Sequence, residues 1–313
     1  METYIGMDLG GTKLLLGEVD ENGKILRELS VPSGALSQQE ALALMRESLA
    51  AFLAQPVGSP AAVGIGLVGR VDSRSGTWFE IDRERTEPTP LCRLITEGCA
   101  LPCFADNDVR SAARAELCFG EGRRSRDFVY LNVGTGIAAG IVIGGRLLRG
   151  AHCNAGELGH SSSGLSLGLP CVCGRTDCVE AIASGLGLDR CARRLLPEYP
   201  DSALIIPAEG RVSAGEIFRL SAEDALCARL TEQAAVALAN LIMNVVRFCD
   251  PDCVVLGGGV VADGFLLRRV KEKLGKHTMR FVSGGVRLTE LDGRRIGLLG
   301  AACNAMEGMR GSL

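Results

Sequence analysis

Residues 4–13 read YIGMDLGGTK, and how that stretch breaks and resumes sets the fold. An apolar run ends on Asp8 and gives way to Gly10-Gly11-Thr12, and LLLGEVD, residues 14–20, takes the run up again. Asn22-Gly23 supplies a tight hairpin turn and KILRELS returns, so residues 3–30 are predicted to form three short strands. The same plan recurs over residues 127–149: a strand ending NV, a turn of Gly134-Thr135-Gly136, a second strand, a Gly-Gly turn and a third strand. A third cluster, Gly257-Gly258-Gly259, follows the buried run CVVL and precedes a helical segment.

Glycine at such turns lets backbone N–H groups approach a phosphate with no Cβ in the way. Asp8 at the end of its strand is placed to hold Mg²⁺ through water, and the hydroxyls of Thr12 and Thr135 can add donors. One such cluster reads equally well as an ordinary turn. Two strand–turn–strand clusters followed by a third point to nucleotide phosphates. GIGLVG at residues 64–69 matches the G-x-G-x-x-G dinucleotide pattern, but turn-like sequence follows where that pattern needs a helix. Both Gly-Lys pairs lack the Ser or Thr that a P-loop requires.

Between these motifs, residues 37–54 carry helical spacing (Leu42, Met45, Leu49, Phe52 and Leu53), AAVGIGLV reads as a buried strand, and residues 108–119 read as a helix. Helices are predicted over 179–196, 222–249, 262–275 and 296–309. GEGRRSRD, residues 120–127, is a polar break that suits a domain boundary.

Composition narrows the function classes. The 313 residues carry a net charge of −3, which gives no footprint for nucleic acid or an anionic membrane. The most apolar stretch, residues 128–145, contains five glycines and suits two strands around a turn better than a membrane span. The N-terminus shows no secretory signal, and thirteen cysteines, an odd number, point to reduced thiols and a cytoplasmic location.

Three of those cysteines cluster with a histidine. His160, Cys171, Cys173 and Cys178 give H-x10-C-x-C-x4-C, and the chain has only three histidines. Four soft or borderline ligands in one loop suit a tetrahedral, closed, structural Zn²⁺ site; unrelated buried thiols are the alternative.

DLGGTK, NVGTG, GELGH with CVCGRTDC downstream, and VVLGGG together resemble the ROK family (repressors, open reading frames and sugar kinases), of the actin-like ATPase superfamily. The likeness spans essentially the whole chain. It implies an α/β, two-domain actin-like ATPase (ribonuclease H-like) fold with an interdomain cleft. The small domain would cover 1–118, completed by the C-terminal helix at 297–313, and the large domain 119–296. It implies a homodimer or homotetramer, and a sugar kinase using ATP and Mg²⁺. Asp8, Gly10, Gly11, Thr12, Lys13, Gly134, Thr135 and Gly136 would hold the nucleotide's phosphates, with Gly257, Gly258 and Gly259 near the adenosine. Asp108 would be the base that accepts the proton of the attacking hydroxyl. Asn107, Glu157, His160 and Glu180 would contact the sugar, with His160 giving one nitrogen to zinc and turning the other to the sugar. Other readings stay open for two of these acids: Glu180 could simply face a helix dipole, and Glu157 could be a solvated loop acid. Asp106 reads chiefly as a helix N-cap.

The chain departs from the family at Val68, where proline is usual, at Arg110, and over residues 79–90, where an Asn-Leu-x-x-Trp-like sugar segment is replaced. No sugar contact is assigned to residues 79–90. The hexose, phosphorylated at its 6-hydroxyl, could be glucose, allose, mannose or an N-acetylated amino sugar. A sugar-responsive repressor is disfavoured because the first hairpin begins at residue 3, and a non-catalytic sensor because Asp108 and DLGGTK are intact.

Overall fold

The structure is a computed structural model that describes residues 1–34, 36–81 and 86–311. The chain divides into two compact units. The first comprises Met1–Arg124, Leu147–Ala155 and Arg294–Leu313, the second Ser125–Arg146 and Gly156–Gly293.

In the first unit the opening residues form β1 (Glu2–Leu9), β2 (Lys13–Asp20) and β3 (Ile25–Pro32), an antiparallel meander. Helix α1 (Gln38–Leu53) follows, started by a Ser37–Glu40 capping box. Then come β4 (Ser59–Leu67), the small sheet β5 (Arg70–Asp72), β6 (Thr77–Glu80) and β7 (Thr86–Thr89), helix α2 (Leu91–Cys99), β8 (Cys103–Asn107) and helix α3 (Asp108–Phe119). The main sheet runs β3-β2-β1-β4-β8, with β4 parallel to β1 and β8 parallel to β4. One face buries Ile5, Met7, Leu14, Leu16, Ile65 and Leu67 with Met45, Leu49 and Phe52 of α1.

The other face takes the C-terminal helix Ile296–Met309 at close range. A Cβ on Gly64 would lie 1.8 Å from the Ala301 carbonyl oxygen, and one on Gly6 would lie 2.6 Å from that of Leu298. The first glycine of the false dinucleotide pattern therefore makes room for a helix backbone. No helix follows that pattern; the chain turns into β5 and β6.

The second unit repeats the plan. Strands β9 (Phe128–Val133), β10 (Ile137–Ile143), β11 (Arg146–Leu147), β12 (Cys253–Gly257) and β13 (Gly285–Leu288) run in the order β11-β10-β9-β12-β13. Strands β9 and β10 pair antiparallel, and β12 and β13 add in parallel, as in the first sheet. The apolar stretch 128–145 is thus β9, its glycine turn and β10.

The α-helices among the described residues of this unit are α4 (Val179–Ala183), α5 (Gly185–Leu195), α6 (Ala214–Leu220), α7 (Ala225–Cys249), α8 (Phe265–Lys273) and the single-turn α9 (Lys276–Met279). The single helix expected over 179–196 is broken at Ser184, which is extended (φ −77°, ψ 164°) and caps α5 by accepting from the Gly187 N–H at 2.9 Å. Asp224 caps α7, accepting from the Cys227 N–H at 2.9 Å. Among the described residues α7 alone is long and apolar enough to cross a membrane, yet Leu230, Ala234, Leu238, Leu241, Ile242 and Val245 are buried in the unit's core.

Candidate active site and metal centre

In the first unit the β1–β2 turn leaves Gly10, Gly11, Thr12 and Lys13 exposed, closed by the Gly10 N–H donating to the Lys13 carbonyl at 3.0 Å. A Cβ on Gly11 would meet nothing, so the turn's backbone is open to a ligand. Half-buried Asp8 stands just before it, its carboxylate against the first turn of the C-terminal helix, where a Cβ on Gly297 would come within 2.3 Å of Oδ2. Burial, and then the charge of Asp108, push the Asp8 carboxyl up to about 7 against the pull of Lys13. Asp8 and Asp108 are thus brought near enough to feel each other. Burial likewise raises Asp108 above the ordinary carboxylate value, opposed by the Val109 N–H and the Arg110 charge.

Asn107, not Asp106, caps α3: its Oδ1 accepts from the N–H groups of Val109 at 3.0 Å and Arg110 at 3.2 Å, while its Nδ2 donates to the Gly69 carbonyl at 3.1 Å. Its Oδ1 is engaged by two N–H groups, while Nδ2 carries a second N–H, so a sugar contact through that donor would not have to break these bonds. Asp106, read from sequence as a cap, is instead wholly buried between Arg110 (2.6 Å) and Arg114 (3.1 Å). Arg110 also donates to the carbonyls of Cys153 at 2.6 Å and Val71 at 3.1 Å, and Arg114 to Asn304 Oδ1 at 2.8 Å. This network fixes the start of α3 to β5, the 147–155 segment and the C-terminal helix. The sequence reading missed it, although the i, i+4, i+8 spacing of Asp106, Arg110 and Arg114 was a usable signal. Trp78, the one tryptophan, is core: fully buried, it donates Nε1 to the Val68 carbonyl at 3.1 Å. Residues 82–85 of the divergent segment 79–90 lie outside the described residues.

In the second unit His160, Cys171, Cys173 and Cys178 bring one ligand atom each to within 4.8 Å of one another. The Cys173 and Cys178 sulfurs are 3.6 Å apart, too far for a disulfide, and Cys171 Sγ lies 3.4 Å from His160 Nδ1. A tetrahedron with bonds of ~2.3 Å to sulfur and ~2.0 Å to nitrogen has S···S and S···N edges of about 3.8 and 3.5 Å, so the donor set fits a closed metal site. The knuckle is held by the Cys171 N–H on the Arg175 carbonyl at 2.9 Å and the Gly174 N–H on the Cys171 carbonyl at 3.0 Å. Burial, reinforced by the neighbouring thiols, pushes the Cys178 thiol up to about 12. Crowded thiols resist ionising together without a cation, which is what a bound metal would change.

The glutamates meet on the same histidine. Glu157 Oε2 lies 3.9 Å from His160 Nε2, and Glu180 Oε1 lies 4.0 Å from His160 Nδ1. Glu180 is in the first turn of α4, and its Oε2 accepts from the Ile137 N–H at 2.8 Å. It therefore ties the start of α4 to the start of β10, beside the 134–136 turn, where a Cβ on Gly136 would come within 2.6 Å of that oxygen. The break at Ser184 gives α5 a fresh N-terminus, and its Gly185 and Leu186 N–H groups bond the carbonyls of Gly134 (2.9 Å) and Thr135 (3.2 Å). Gly258, at φ +95°, lies beside Val133 and Asn132, and a Cβ on Gly259 would meet nothing. The second and third glycine clusters are therefore neighbours.

A family model described as "ROK family" matches residues 4–307. The chain belongs to the ROK family. This ROK chain is 31% identical to a glucokinase of Streptomyces coelicolor over 98% of both proteins. It is 34% identical to an N-acetylmannosamine kinase of Escherichia fergusonii, over 84% of this chain and 86% of that protein. A ROK glucokinase of Streptomyces griseus, solved in complex with glucose and AMPPNP, superposes with a TM-score of 0.78 at 28% identity, covering 98% of this chain and all of that one. The duplicated sheets of this ROK chain are those of the actin-like ATPase fold.

Proposed function

We propose that this ROK protein is an ATP-dependent hexose kinase that phosphorylates the 6-hydroxyl of its sugar. The observation that carries the reading is the meeting of Glu157, His160 and Glu180 on a metal-ready loop, with Glu180 bonded to the Ile137 N–H just after the 134–136 turn. Carboxylates and an imidazole converging in this way suit a polyol, since each oxygen accepts from a sugar hydroxyl. The names of the relatives agree with it.

Asp108 accepts the proton of the sugar hydroxyl. That oxygen bonds to the γ-phosphorus as the bond to the β,γ-bridging oxygen breaks, and ADP leaves with that electron pair. Asn107 and Glu157, His160 and Glu180 orient the sugar. The backbone of Gly10, Gly11, Gly134 and Gly136, with Thr12, Thr135 and Lys13, binds the phosphates, and Gly257, Gly258 and Gly259 border the adenosine. Asp8 is the residue that would hold Mg²⁺, which neutralises phosphate charge. His160, Cys171, Cys173 and Cys178 would hold Zn²⁺ as a structural ion; with zinc on Nδ1, the imidazole keeps its proton on Nε2, facing Glu157. None of the thirteen cysteines forms a disulfide, which suits a reducing cytoplasm, and the family likeness suggests a homodimer or homotetramer.

Glucose and N-acetylmannosamine are the first substrates to try, ahead of mannose and allose. A coupled ADP-release screen of these four with zinc-loaded protein tests the reading. Sugar-dependent ADP release with at least one is expected; none with any of the four would overturn it.

A further inference from the structure

Arg211 stands at the second glycine turn, and the fold holds it there. Its guanidinium lies 3.4 Å from the Thr135 hydroxyl, and both residues are exposed. The loop around it is clamped to α5. Arg193 Nη2 donates to the carbonyls of Pro207 at 3.2 Å and Gly210 at 3.1 Å, and the carboxylate of buried Asp189 accepts from the Val212 N–H at 2.9 Å and from Arg193 Nε. Burial works against the Asp189 charge, but the Val212 N–H, Arg193 and Arg211 hold its carboxyl below the usual carboxylate range. The same α5 donates its first N–H groups to the carbonyls of Gly134 and Thr135. One helix thus registers both the loop that carries Arg211 and the 134–136 turn.

We propose that Arg211 is a phosphate-binding residue for the nucleotide, its guanidinium meeting the anionic oxygens presented at the 134–136 turn. The proposal rests on the kinase reading. A planar guanidinium offers paired N–H donors matched to phosphate oxygens, and a charge-assisted bond of this kind is stronger than a neutral one. Thr135 would share the same ligand through its hydroxyl.

The test uses the full-length, zinc-loaded chain and needs no sugar. Binding of MgATP and of adenosine is measured by titration for wild type, Arg211→Ala and Arg211→Lys. Arg211→Ala is expected to weaken MgATP by about 10-fold or more with adenosine unchanged, and Arg211→Lys to recover part of the loss. Equal MgATP binding by wild type and Arg211→Ala overturns the proposal alone, as does an equal loss for adenosine, which would mark general damage to the loop. A wild type that binds no MgATP overturns it together with the kinase reading.

Discussion

Asp8 carries its charge where the fold disfavours it, and that has two measurable consequences. Its folded value, about 7, lies above the ordinary 3.8. A raised carboxyl stabilises the folded state fully only below its unfolded value, and the benefit is lost as pH rises through the folded value. Asp8→Asn should therefore leave stability nearly unchanged at pH 4 and raise it by up to a few kcal/mol at pH 8 without added Mg²⁺, read as Tm against pH. An unchanged Tm at pH 8 would contradict the assignment. Since a cation needs the carboxylate, MgATP affinity should climb through pH 7 in wild type and stay flat in Asp8→Asn. The residues hardest to read from sequence stand next to Asp108. In Asp106-Asn107-Asp108 every member is a competent N-cap, so the outcome turns on where β8 ends. It runs through Asn107, which leaves Asp106 inside the fold, needing the two arginines that follow it.

The metal loop is a short segment with little regular structure of its own, so its order should depend on the ion. Gently purified protein should contain about one zinc per chain by metal analysis, and a metal-free sample would contradict that assignment. Chelation should sharply raise amide exchange over residues 160–179 and at Ile137, whose N–H is held by Glu180, while α7 keeps its protection. The loop was legible because ligand spacing is a local property of the sequence. The hairpins were legible for the same reason: turn glycines and apolar alternation act within a few residues. The break between α4 and α5 was written as Ser184-Gly185, a cap signal outweighed by the longer helical pattern around it. What spacing alone could not supply was the tie from Glu180 to Ile137, just after the 134–136 turn, which joins residues 43 apart in sequence.

Two sheets of the same strand plan, one in each unit, mean that the chain builds one layout twice. The first unit is not finished until the last helix returns to it after the whole of the second unit has been made. Its seat on the sheet depends on glycine, so Gly64→Ala should cost about 1–3 kcal/mol or more, measured by denaturant unfolding, because Ala301 and its helix must lift away. A neutral result would mean that the helix is not held at this distance. The kinase assignment draws Asp108 from the first unit and Glu157, His160 and Glu180 from the second. Asp108→Asn, assayed with the best sugar from the screen, tests that assignment most directly. A loss of ~10²–10⁴-fold in turnover with sugar affinity within a few-fold of wild type is the predicted result; wild-type turnover in the variant would contradict it.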